Sequence, residues 1–209
     1  MNRTGYSRSI LYPQPGRRCP QWAVVFPHMQ ATFMSHPPKL QVFLDLDGVF
    51  ADFDARVKRL SGKHPNQLER SRLWKIINAD KRFFAELELI EGCLALWEAT
   101  KDLEPVFLTG APSSKVFQEQ KREWVSRIFG PEFTVHVVPK KRKQEFSGKH
   151  KVLIDDTPEN IEQWIAAGGH GILHKGDHAS TVQALRQLVE LYEKEKAADE
   201  REQRQGAAP

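Results

Sequence analysis

From residue 40 onward, short apolar runs rich in β-branched and aromatic residues alternate with longer stretches whose apolar residues recur at three- and four-residue spacings. A parallel strand can reach its neighbour only through a crossover, usually helical, so this alternation sets the fold class: α/β, with a doubly wound, Rossmann-like parallel sheet. Strands are predicted over 40–46, 105–109, 133–138, 151–154 and 171–174. Helices are predicted over 93–101, 114–129, 158–167 and 180–192, with Ser113 or Ser114, Thr157 before Pro158, and Ser180 or Thr181 as start signals. One interval breaks the rhythm. Between Asp52 and Ile90 there is no strand pattern, only helical spacing (Phe53, Val57, Leu60, then Leu68, Leu73, Trp74, Ile77) interrupted at His64, Pro65 and Asn66, which reads as a helical insertion.

A chain of 209 residues with 40% hydrophobic content can bury a real core as one domain, and no apolar run reaches membrane-spanning length. The formal charge of +4 invites a polyanionic partner, but its position removes the invitation. No acidic residue precedes Asp45, where Arg3, Arg8, Arg17, Arg18 and Lys39 stand; the remaining 26 basic residues face 27 acidic ones. Cys19 and Cys93 form neither a disulfide framework nor a zinc site, which makes a reducing compartment the default. The segment 1–38 lacks the apolar core of a signal peptide and reads as a disordered or non-native extension ahead of an alternative start at Met29 or Met34. Its arginines also allow an organellar transit reading beside the cytoplasmic one. The charged stretch 194–209 is expected to fray from the last helix into a disordered tail.

In an open parallel sheet, chemistry gathers beyond the carboxyl ends of the strands. Here those ends read Asp45, Leu46, Asp47, Gly48, Val49; then Thr109, Gly110, Ala111, Pro112; then Asp155, Asp156, Thr157. Four carboxylates on one rim repel one another unless a cation sits among them, and oxygen ligands without His or Cys suit Mg²⁺. Two positions apart, Asp45 and Asp47 would share one side of a continuing strand, and Gly48 lets the backbone turn its N–H groups toward an anion. Adding the Thr109 hydroxyl and the run Lys140, Lys141, Arg142, Lys143 completes the parts of a phosphoryl-transfer site.

In this order and spacing, the residues resemble the haloacid dehalogenase-like phosphohydrolases: the motif Asp45, Leu46, Asp47, Gly48, Val49, the strand-ending Thr109, a lysine some ten residues before the last motif, and the pair Asp155 and Asp156. The likeness spans residues 40–175. Within that family, Phe50-Ala51-Asp52-Phe53, Phe83-Phe84 and Leu108-Thr109-Gly110-Ala111-Pro112 look like the 5'(3')-deoxyribonucleotidase branch. The resemblance implies a Mg²⁺-dependent phosphomonoesterase. Asp45 would be the nucleophile that forms an aspartyl-phosphate, and Asp47 the acid and base. Mg²⁺ would be held by Asp45, the Asp47 main-chain carbonyl and Asp155, with Asp156 behind them. Thr109, N–H groups near Gly48 and Gly110, and a lysine would hold the phosphoryl oxygens. Lys143 is the first choice for that lysine because, as in this branch, an aromatic residue (Phe146) follows three places later; Lys140 and Lys141 stay open.

Lys115, six residues past Thr109, is a further candidate for the phosphate, against the plain alternative of a solvated helix lysine. The helical insertion, at about 54–90, resembles the family's small cap, inserted within a core that spans 39–193. Phe53 stands where these nucleotidases place an aromatic wall against the base, and Trp74 could add a second face; both also fit ordinary core positions. The basic run at 139–143 reads as a solvated loop carrying one catalytic lysine rather than an import signal. His170, His174 and His178 are spaced like helix-borne metal ligands, but glycines interrupt the stretch and favour strand and loop. The expected partner is a small phosphorylated metabolite, first a (deoxy)nucleoside monophosphate, with neither a nucleic-acid polymer nor a membrane. A sugar phosphate is the alternative substrate. A catalytically idle binding module is the alternative of another class, against which the intact set of aspartates and Thr109 speaks.

Overall fold

Along the central strands, alternate side chains divide between two buried layers, as the two-residue period of a strand covered on both faces requires. Val42 and Leu44 of β1 (Gln41–Leu44) face one layer with Phe107 of β2 (Val106–Gly110) and with Val152 and Ile154 of β4 (Lys151–Asp155). Phe43, Leu108 and Leu153 face the other. With β3 (Val135–Val138) and β5 (His170–Leu173), the strands form one parallel sheet in the order β3-β2-β1-β4-β5. The computed structural model that shows this describes residues 39–206. The N-terminal extension expected over 1–38 and the last three residues of the tail lie outside the described residues.

The larger layer is covered by α3 (Cys93–Thr100), α4 (Lys115–Ile128) and α6 (His178–Gly206), whose buried residues include Leu96, Trp124, Val125, Val182 and Leu185. The smaller is covered by α5 (Pro158–Ala166), through Ile161 and Trp164, and by Phe146 at the end of a 3₁₀ helix, Lys140–Phe146. Chain order proceeds from β1 toward β3 on one side and returns through β4 and β5 on the other. The direction therefore reverses beside β1, and the gap between β1 and β4 is the topological switch point where such sheets bind ligands.

Most boundaries shift by one or two residues from those read in the sequence, and two of the differences have a clear cause. β1 stops at Leu44 because the Leu46 carbonyl accepts the N–H groups of Val49, Phe50 and Ala51, folding 46–51 into a tight loop. α6 does not fray after residue 193 but continues to Gly206. Its added turns consist mostly of Ala, Glu, Lys, Arg and Gln, strong helix formers, and a Glu190–Lys194 ion pair at 2.7 Å spans one turn.

The interval 52–90 carries α1 (Phe53–Ser61) and α2 (Arg70–Ala79), separated by a short 3₁₀ helix, Pro65–Gln67. Asp52 caps α1 by accepting the Ala55 N–H at 2.8 Å, and Gly62, at φ 72°, ends it in the left-handed conformation. Arg56 clasps the two helices by donating from Nε to Asp80 Oδ2 at 2.9 Å. The returning chain is tied back to the loop after β1 by Asp52 N–H to Glu88 O and Ile90 N–H to Phe50 O, each at 2.8 Å. Among the described residues no helix is long and apolar enough to cross a membrane.

Candidate active site

The rim at the switch point is built by register. Leu44 pairs with Ile154, so the next residues along these strands, Asp45 and Asp155, stand side by side, with the Asp45 N–H donating to the Ile154 carbonyl at 2.9 Å. Lys143 reaches both from the 3₁₀ helix: its Nζ lies 2.8 Å from Asp45 Oδ1 and 2.6 Å from Asp155 Oδ2, and only 2% of its side chain is exposed. With about three residues per turn in that helix, positions 140, 143 and 146 share a face, which turns Lys140 toward the same cleft and Lys141 away from it. Burial alone would push Lys143 down, but the two carboxylates outweigh it and hold the ammonium above its ordinary pKa.

Asp155 is held most firmly. Its oxygens accept from the Thr157 N–H at 2.9 Å and from Asn160 Nδ2 at 3.0 and 2.9 Å, besides Lys143. Burial and the neighbouring Asp45 charge nevertheless raise its pKa, and the same causes, with Asp155 added, lift Asp156 to about 6. Asp45, Asp155 and Asp156 each offer a carboxylate oxygen within 4.8 Å of the others. Three carboxylates against the single ammonium of Lys143 leave a deficit of two charges. The all-oxygen donor set and the Asp45 Oδ1 atom, buried without a hydrogen bond despite its ion pair, fit a hard divalent cation. Gly48 makes the close approach possible: at φ 79°, a Cβ there would lie 2.1 Å from Asp156 Oδ2.

Asp47 does not join this cluster, contrary to the expectation of four converging carboxylates. Its Oδ2 is drawn 2.5 Å from Nζ of Lys121, a residue the sequence reading passed over. Lys121 lies in the middle of α4, 1% exposed, and also donates to Thr109 Oγ1 at 3.0 Å. Burial, with some help from Asp45, raises the Asp47 carboxyl, while Lys121 opposes the rise. The signal for Lys121 was present: Phe117, Lys121, Trp124, Val125 and Ile128 repeat at helical spacing, so a charge stands on an apolar stripe. Lys115, the further candidate for the phosphate, is exposed and lies outside the cleft, because the six positions that separate it from Lys121, at about 100° each, carry it to a different side of α4.

A cleft of about 870 Å³ opens above these groups, within the usual range for small-molecule sites. Asp45, Asp47, Gly48, Lys143 and Asp156 are on its inner wall, and Gly110 and Lys140 flank them. Thr109 is fully buried beside Gly110 and does not line the cleft. Phe53 and Trp74 both line it from the helical insertion. Phe53 at the same time packs edge-on against Phe83 at 5.4 Å and stacks on Phe84 at 6.3 Å, so it serves the core and the cleft together. His174 also lines the cleft; its Nδ1 is 2.8 Å from Thr181 Oγ1, and burial, then the His178 ring, lower it to about 4. Sequence reasoning missed Asn160 as well, although its place in the first turn of α5, five residues past Asp155, left it facing that carboxylate.

Two curated proteins are similar to this chain. The human 5'(3')-deoxyribonucleotidase, mitochondrial, is 30% identical over 149 residues, covering 57% of this chain and 63% of that protein. The mouse protein of the same name is 30% identical over 146 residues, covering 57% and 66%. The chain thus spans just under two thirds of the length of the curated relatives it matches. Among solved structures, a hydrolase from Streptococcus pneumoniae TIGR4 is similar with a TM-score of 0.44 and 17% identity, covering 73% of this chain and 98% of that one. A HAD-superfamily hydrolase, subfamily IA, variant 1, from Geobacter sulfurreducens gives 0.41 and 16%, with coverages of 66% and 90%. A family model matches residues 62–188, well over half of the sequence, and the chain accordingly belongs to the family described as 5' nucleotidase, deoxy (pyrimidine), cytosolic type C protein.

Proposed function

We propose that the protein is a Mg²⁺-dependent phosphomonoesterase that releases phosphate from nucleoside monophosphates, deoxynucleotides first, through an aspartyl-phosphate on Asp45. The observation that carries this reading is the state of Asp45: a buried carboxylate paired with Lys143 at 2.8 Å, beside two further aspartates, at the wall of a ligand-sized cleft.

In this mechanism an Asp45 oxygen attacks phosphorus, the P–O bond to the leaving alcohol breaks, and Asp47 delivers its proton to the departing oxygen. A water molecule then attacks the same phosphorus while Asp47 takes up the water's proton, and the P–O bond to Asp45 breaks to release phosphate. Asp45, Asp155 and the Asp47 main-chain carbonyl, with Asp156 behind, would hold Mg²⁺, which would supply the positive charge that lets an anionic nucleophile meet an anionic phosphate. Lys143 and main-chain N–H groups near Gly48 and Gly110 bind the phosphoryl oxygens, and the Thr109 hydroxyl, buried beside Gly110 and bonded to Lys121, stands behind them. The helices of 54–90 act as a cap, and the exposed faces of Phe53 and Trp74 favour a flat aromatic base over a sugar phosphate.

The test is phosphate release from a panel of nucleoside monophosphates and sugar phosphates, with Mg²⁺ and with a chelator. Metal-dependent release from the nucleotides supports the reading. Release that ignores the chelator, or that survives Asp45→Asn, overturns the mechanism; release from sugar phosphates alone overturns only the substrate. For the compartment, the cytoplasm is the first reading, while the names of both relatives favour its organellar alternative. Imaging a full-length chain tagged at its C-terminus separates the two.

A further inference from the structure

Lys121 has no part in the chemistry assigned so far, yet it is the most costly charge on α4 to bury. Its side chain is 2% exposed, on a helix face otherwise given to Phe117, Trp124 and Val125. An ammonium has only hydrogens to give, so its partners are acceptors: Asp47 Oδ2 at 2.5 Å and Thr109 Oγ1 at 3.0 Å. The Phe84 ring lies under it with its centroid 4.8 Å from Nζ. That ring is itself fixed from α4. Gln120 accepts the Phe84 N–H at 3.0 Å and donates to the Lys81 carbonyl at 2.7 Å, and Trp124 Nε1 donates to the Leu87 carbonyl at 2.8 Å. The ammonium is therefore held from three sides, and through it one oxygen of Asp47 is held as well. The other oxygen, Oδ1, is buried with no hydrogen-bond partner.

Resting on the phosphatase reading above, we propose that Lys121 is a positioning residue for Asp47: by holding Oδ2 it fixes the plane in which the carboxyl meets the leaving group. When the P–O bond to the alcohol breaks, the Asp47 carboxyl proton passes to the alcohol oxygen. Without Lys121 the carboxyl rotates freely, and either oxygen, at any angle, faces the cleft. A buried ion pair of this kind is weak support for stability in itself, since well-packed apolar residues commonly do as well, which fits a role in orientation.

The test uses two phosphate monoesters, one whose leaving group needs a proton, deoxyuridine 5'-monophosphate, and one whose leaving group does not, p-nitrophenyl phosphate. It reads kcat/KM, which reports steps up to transfer onto Asp45, alongside the melting temperature of each variant. Lys121→Met is expected to lose about 100-fold on the nucleotide, at the low end of what general acids contribute, and under about 10-fold on the aryl ester. Asp47→Asn must show the same asymmetry. Equal fold-losses on the two esters, or no loss on either, overturn the proposal. Lys121→Gln keeps an N–H donor at similar volume and serves if the methionine variant does not fold. It is expected to show the same asymmetry at smaller size, and parity between its two losses overturns the proposal equally. Failure of the phosphatase reading looks different, because the unaltered enzyme then releases phosphate from neither ester.

Discussion

Replacing Lys143 with methionine removes the ammonium that bridges Asp45 and Asp155 while keeping most of its volume. The two contacts are at 2.8 and 2.6 Å. At an effective dielectric of about 20, each is worth roughly 6 kcal/mol of Coulomb attraction, most of it offset by the cost of desolvating the charges. The quantity a variant reveals is the cost of breaking a buried pair on one side, about 3–5 kcal/mol. It falls chiefly on Asp45, because Asp155 keeps its bonds from Thr157 and Asn160 whereas Asp45 Oδ1 has no hydrogen bond. At roughly 2–4 °C per kcal/mol for a domain of this size, the expected drop in melting temperature, measured in chelator at neutral pH, is about 10 °C. Lys141→Met, at an exposed position, is the control and is expected to stay within about 1 °C. Adding Mg²⁺ restores part of the lost charge and should stabilise the Lys143 variant more than the unaltered protein. A Lys143→Met protein that melts with the parent in chelator would refute the reasoning, because the triad would then hold no unbalanced charge.

Three further outcomes are expected. Gly48→Ala meets Asp156 Oδ2 at 2.1 Å and costs about 1–2 kcal/mol for its left-handed backbone, so Mg²⁺ titrated calorimetrically should bind at least about tenfold more weakly; an unchanged Kd contradicts the close approach. His174, held at about 4 by burial and His178, is neutral in the folded chain at pH values where the unfolded chain, at about 6.5, takes up a proton. Stability should therefore fall as pH drops from about 6.5 toward 4, by up to about 3 kcal/mol, in urea unfolding, and His174→Asn should flatten the slope; an equal slope in both removes His174 as its source. Trp74→Ala should raise KM for a nucleoside monophosphate about tenfold with little change in kcat and leave glycerol phosphate hydrolysis unaffected, whereas equal effects on both would assign Trp74 to the core alone.

The sheet was legible because each strand is short, apolar and followed by a helix or polar loop, although the order β3-β2-β1-β4-β5 differs from the order along the chain. Lys143 was singled out through the resemblance, in which an aromatic residue, here Phe146, follows the lysine by three places, and the structure brings that lysine to Asp45 and Asp155. Lys121 was not, because nothing near it in sequence carries chemistry; its partners Asp47 and Thr109 lie 74 and 12 positions away, and only the apolar stripe around it marks it. Lys115, read as a further phosphate contact because it lies close to Thr109 in sequence, is on a different side of the same helix. Asp47 was expected among the metal carboxylates because like residues at one strand end were assumed to converge. A lysine from another element, Lys121, holds its side chain instead. The continuation of α6 past residue 193 was missed for a simpler reason: charged, alanine-rich sequence suits both a solvated helix and a disordered tail, and composition does not separate them.

The central claim, transfer of the phosphoryl group onto Asp45, is most directly tested by trapping it. Enzyme in excess over a nucleoside monophosphate, with Mg²⁺, is quenched in acid within the first turnover and digested for mass spectrometry. A phosphoryl group on the peptide that contains Asp45, absent from Asp45→Asn, is the expected result. Phosphate released at full rate with that peptide unmodified at every quench time, or with Asp45→Asn still active, would contradict it.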